Sequence, residues 1–108
     1  MGQLSYAGES QIVEIDDATL AHLRLVTVTK LRRGESFPLT LRTSRSGTET
    51  LWMHASIPVR FAVAEEIELQ RPLLVKMMAA ASSAHGLDLT DMELAPLLSA
   101  VPPMHAVA

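Results

Sequence analysis

The sequence predicts a small α+β domain: an antiparallel sheet made of an N-terminal hairpin and a three-strand meander, packed by helices in the order ββαβββα, with a short helix added at the C-terminal end. Three observations predict it. The spacing of apolar residues switches between a period of two and a period of 3.6 along the chain. Gly, Pro, Ser and Asp stand at each switch. The 108 residues are 48% hydrophobic and 19% charged, which supports one core and lies far from the composition of disorder. A domain of this length buries roughly 65% of the surface its unfolded chain exposes. Aromatic residues are only 4% of the chain, so Leu, Val, Ile, Ala and Met build the core, with Phe37, Trp52 and Phe61 as its large pieces.

Gln3 to Tyr6 and Gln11 to Ile15 are short β-prone runs separated by Ala7-Gly8-Glu9-Ser10, the pattern of a hairpin. Asp16 and Asp17 stand where a helix N-cap belongs, since their carboxylates accept orphan N–H groups and favour the positive end of the helix dipole. On a helical wheel Leu20, Ala21, Leu23, Leu25, Val28 and Leu31 gather on one face, and Thr19, His22, Thr29, Lys30 and Arg33 gather opposite. The basic cluster Lys30, Arg32 and Arg33 falls in the last turn, where it complements the dipole, and Gly34 occupies the left-handed cap position.

From Phe37 the period is two: Phe37, Leu39 and Leu41 alternate with Pro38, Thr40 and Arg42 up to the turn Ser44-Arg45-Ser46-Gly47. Thr50 to His54 and Val59 to Val63 then complete the expected meander, with Pro58 unable to donate a ladder bond. Gln70 to Ala84 reads as a second helix with Pro72 in its first turn, ended by His85-Gly86. Thr90 to Glu93 fits a capping box that opens the short third helix, and Pro96 keeps it brief. Residues 1–87 are expected to form the single domain, and 88–108 the short helix and a mobile tail.

There is no cysteine, which removes disulfides, thiolate nucleophiles and Cys-ligated metals. No run approaches the ~20 apolar residues of a membrane span. The first residues lack the basic and apolar parts of a signal peptide, so the expected location is cytoplasmic, with no membrane partner. No Walker A loop, Gly-x-Gly-x-x-Gly cradle or Gly-x-Ser-x-Gly elbow is present. His22, His54, His85 and His105 include no i, i+4 pair of the metal-binding kind. His22 reads as an exposed helix residue and only His54 has polar company. The sequence thus offers no catalytic, cofactor or metal site, and no cofactor is expected.

The net charge of −3 is unevenly spread: residues 1–23 and 61–108 each sum to −4, and residues 24–60 sum to +5. A basic centre of this kind attracts anions unless the acidic flanks pair with it. Glu65, Glu66 and Glu68 solvate the approach to the second helix, or hold a basic partner. If the apolar faces of the meander turn toward the first helix, Arg42, Trp52, His54 and Arg60 share the opposite face; the other register puts Trp52 in the core. An aromatic ring among guanidinium groups can stack bases and contact phosphates. It serves equally as a subunit interface, where Trp and Arg are enriched, and the ring can also be buried under the second helix.

The strings Ile15-Asp16-Asp17 with Leu20-Ala21-His22-Leu23, Lys30-Leu31-Arg32-Arg33-Gly34-Glu35-Ser36-Phe37, Leu51-Trp52-Met53-His54 and Ser56-Ile57-Pro58-Val59-Arg60-Phe61 carry a resemblance. Over about residues 1–87 the chain resembles a group of short actinobacterial proteins of uncharacterised function. Some carry an automatic label of ATP-dependent DNA ligase, yet the Lys-x-Asp-Gly nucleophile of such enzymes is absent: Lys30 and Lys76 are the only lysines. The label implies at most a DNA-associated context. The leading expectation is a non-catalytic interaction module that associates with itself or another protein; the alternatives are nucleic-acid binding through residues 24–60 and, last, a small enzyme using His54.

Overall fold

A computed structural model of the chain describes residues 1–8, 11–43, 47–91 and 94–99. The elements run β1 (Gly2–Tyr6), β2 (Ile12–Ile15), α1 (Asp17–Arg32), β3 (Phe37–Thr43), β4 (Gly47–Met53), β5 (Val59–Ala62), α2 (Arg71–Ala81), β6 (Leu87–Asp88) and α3 (Ala95–Ser99). The α+β class and the ββαβββα order with a short last helix are those the sequence predicts. The described residues form two three-stranded sheets, in the orders β2-β1-β5 and β4-β3-β6.

The N-terminal hairpin forms as expected, with Leu4 opposite Val13 in antiparallel register. The three-strand meander does not. β4 pairs with β3, but β5 crosses to β1, where Phe61 lies opposite Leu4 and Arg60 opposite Ser5. The connection turns sharply, the Ile57 N–H donating to the His54 carbonyl, and the Pro58 carbonyl then accepts from Ala7 N–H. Periodicity specifies which face of a strand is apolar and is silent about which strand lies beside it.

A further departure is β6, which pairs parallel to β3. Gly86 leads into it at φ 73, and a Cβ there would collide with the ring and carbonyl of Pro38. Only glycine combines this backbone with this approach. The third helix starts at Ala95 rather than at Thr90, because Thr90 folds back instead: its N–H and hydroxyl both donate to Asp88 Oδ1, at 2.8 and 2.6 Å. The expected capping partner Glu93 and the tail 100–108 lie outside the described residues.

The boundaries of α1 follow the sequence. Asp16 is the N-cap and accepts from Thr19 N–H at 3.0 Å and from the Thr19 hydroxyl at 2.7 Å. Gly34 takes φ 71 just past the C-terminal end. Asp17 does not cap; its Oδ1 accepts from Ala64 N–H at 3.0 Å and ties down the chain leaving β5.

The faces of α1 depart from the wheel. Thr19, His22 and Lys30 are buried, whereas Leu25 and Val28 are exposed. α1 is enclosed on several sides, and Thr19, His22 and Lys30 go inward where each finds a partner. His22, expected at the surface, is fully buried: its Nδ1–H donates to the Ala18 carbonyl at 2.7 Å and its Nε2 accepts from Gln70 N–H at 2.9 Å. The Lys30 ammonium donates to Glu35 Oε1 at 2.8 Å and to Ser82 Oγ at 3.0 Å. These ties place the start of α1 beside the start of α2 and the end beside the end, so the two helices run side by side in the same direction.

The core lies between the helices and the sheets. Leu4 and Ile15 come from one sheet, Phe37, Leu39, Leu41, Met53 and Leu87 from the other, and Leu20, Leu23, Val26, Leu73 and Met77 from the helices. Leu94 and Leu98 close it from the C-terminal side.

Candidate interaction surface

The alternation of β3 and β4 places Pro38, Thr40, Arg42, Thr48, Thr50 and Trp52 on the side of the sheet away from the core, opposite Phe37, Leu39, Leu41 and Met53. Trp52 is therefore outside, 53% exposed, with Pro38 as its cross-strand neighbour. Thr40 and Thr50 face each other in the middle, their hydroxyl oxygens 2.8 Å apart. Arg42 lies opposite Thr48, four residues or about 13 Å of strand away from the Trp52–Pro38 pair.

Only two of the four residues singled out from the sequence share this face. Arg60 sits on β5 in the other sheet. His54 lies in the connection after β4, where its Nδ1 accepts from the Ser56 N–H at 3.0 Å and from the Ser56 hydroxyl at 2.7 Å. That arrangement closes a turn. Among the described residues no carboxylate is hydrogen-bonded to His54, and no group of three His, Asp or Glu side chains is placed to hold a metal ion. Of the basic cluster, Arg32 and Arg33 are exposed and Lys30 is buried against Glu35. The Lys30 ammonium holds the Glu35 carboxyl below its ordinary value, first through the hydrogen bond and then through its charge.

What the sequence did not disclose is the edge. β4 is the outermost strand of its sheet. The Thr40 carbonyl points to the β6 side, where it accepts from Leu89 N–H at 2.8 Å. Its partner Thr50 is therefore in a non-hydrogen-bonded pair, and the N–H and C=O groups of Thr48, Thr50 and Trp52 point off the free edge. The Tyr6 hydroxyl donates to the Trp52 carbonyl at 2.7 Å and so joins the two sheets at one end. The outward backbone groups of Thr48 and Thr50 have no partner among the described residues. Pro38 was a usable signal for the outer face; nothing local marks β4 as an edge.

Two split three-stranded sheets under a pair of codirectional helices, with an aromatic residue beside an open strand edge, define a small α+β domain. The chain belongs to the family described as Domain of unknown function (DUF7882), whose model matches residues 1–92. No curated protein and no solved structure matches the chain. Among the described residues no helix is long and apolar enough to cross a membrane.

Proposed function

We propose that this chain is a non-catalytic interaction module that pairs with a second copy of itself through the free edge of β4. Trp52 carries the reading: the single tryptophan of the chain stands half-exposed on an outermost strand, although the core is short of aromatic residues. A strand with outward N–H and C=O groups is a template for another strand.

An antiparallel pair with its two-fold axis at Thr50 suits this sequence. It sets Trp52 of one copy against the small Thr48 of the other, with Arg42 next across the sheet and within reach of a cation–π contact. It also sets Glu49 opposite Leu51. Sliding the axis from Thr50 to Glu49 would bring the two Glu49 carboxylates face to face, which is destabilising.

The test is light scattering at tens of micromolar protein, with Thr50→Pro as the diagnostic variant. The Thr50 N–H points away from β3, so proline removes the central edge donor and leaves the internal ladder intact. The expected outcome is a wild-type dimer, with Thr50→Pro and Trp52→Ala monomeric and their circular dichroism unchanged. A wild-type monomer at that concentration overturns the reading.

A further inference from the structure

We propose that the outer face of the α1–α2 pair is a second docking surface, and that its partner is an acidic amphipathic helix of another protein. This face is separate from the β4 edge and stands whether or not the chain dimerises.

The second half of α1 exposes Arg24, Leu25, Val28 and Arg32, which fall within about 100° of one another at 100° per residue. α2 exposes Arg71, Val75, Lys76 and Ala79. The bonds from His22 to Gln70 and from Lys30 to Ser82 fix how the helices line up, and interpolating between them brings Leu25 level with Leu74 and Val75. Leu25 is 40% exposed, Val28 42% and Val75 60%, and half-buried Leu74 and Met78 lie beneath them on the core. The result is an aliphatic strip across the two helices.

Cations border that strip and acids are absent from it. Arg24, Arg32, Arg71 and Lys76 are exposed, and neither helix exposes an Asp or Glu. No ion pair within the described residues engages these four. A chain of net charge −3 has thus kept its acids off this one face, with Asp16 and Glu65, Glu66 and Glu68 placed before the helices.

The chemistry selects the partner. An amphipathic helix lays an apolar stripe into the space between two helices, and flanking carboxylates match the rim and speed the encounter. Nucleic acid would satisfy the cations but set phosphates against Leu25, Val28 and Val75, and the face offers no aromatic ring on which a base could stack. A lipid surface calls for large apolar groups that reach below the headgroups, and three aliphatic side chains flush with two helices do not supply them.

The test is fluorescence anisotropy of the full chain against a labelled peptide of about 18 residues, about 27 Å long as a helix, with Leu at i, i+3, i+4 and i+7 positions and Glu on its flanks. A peptide of the same composition in scrambled order, anionic phosphatidylglycerol vesicles and duplex DNA are the comparison probes. The expected result is saturable binding of the patterned peptide that weakens between about 50 and about 200 mM salt. The double variant Leu25→Glu/Val75→Glu, at two exposed positions, should bind at least about tenfold more weakly with an unchanged thermal melt. If its melt falls, Lys76→Glu carries the test and should also weaken binding. Equal binding of the scrambled peptide, no binding at the lowest salt, or tighter binding to vesicles or DNA overturns the proposal.

Discussion

Thr27 is buried in α1, and its hydroxyl has no hydrogen-bond partner among the described residues. A buried, unsatisfied hydroxyl carries a desolvation penalty that a methyl group of the same shape does not. Thr27→Val is therefore expected to raise stability by about 1 kcal/mol, measured by urea unfolding. Lys30 and Glu35 form a pair of unequal exposure, the ammonium nearly enclosed and the carboxylate largely open. The Glu35 carboxyl is held below its ordinary value, so the charged form is favoured by folding. Its contribution is complete above the ordinary carboxyl value and disappears as pH falls through the lower folded value. The stability gap between the wild type and Glu35→Gln should be widest at neutral pH and close in acid, checked by urea melts at several pH values. Neither residue's surroundings can be read locally: a helical wheel sends polar residues to solvent, whereas Ser82, which receives Lys30, lies 52 positions further along the chain.

α2 illustrates how one element completes another. Its N-cap, Gln70, makes no side-chain capping bond and no acidic residue lies in its first turn. His22 instead secures the N-cap residue itself, its Nε2 accepting from the Gln70 N–H. His22→Leu keeps the volume but strands that donor, and the expected loss is about 2 kcal/mol by urea unfolding, together with faster amide exchange in the first turn of α2. His22→Gln, which can present an oxygen to the same N–H, should recover part of it. The boundaries of α1 were legible in the sequence, whereas the start of α3 was not. Asp16 and Gly34 delimit α1 because capping chemistry acts within a turn of the chain. The neighbour of β5 was not legible, because Phe61 alternates correctly for either partner and only its place opposite Leu4 decides.

Across the whole molecule, two leucines beyond the family match, Leu94 and Leu98, still belong to the core. Leu94 and Leu98 are buried, and α3 lies against α1. Leu98→Ala is expected to lower stability by about 2–5 kcal/mol, the range for removing a buried leucine side chain, read by thermal or urea unfolding. Charge is also arranged at this scale, with cations on the helix pair and acids before each helix. The sequence by itself determined the α+β class, the order of elements, the ends of α1 and the outward face of β3, because hydrophobic period, caps and proline act over a few residues. The candidate surface was only half legible: alternation offered one face for Arg42, Trp52, His54 and Arg60 and left open a register with Trp52 in the core, whereas in the fold Arg42 and Trp52 share a face and Arg60 sits on the other sheet. Only the tertiary structure decided that β5 joins β1, that β4 is left as an edge, and that His22 and Lys30 turn inward while Leu25 and Val28 turn out. Those outcomes depend on which distant groups meet, since burial of a polar side chain is tolerated where a partner waits for it and an apolar side chain stays outside where the core is already filled.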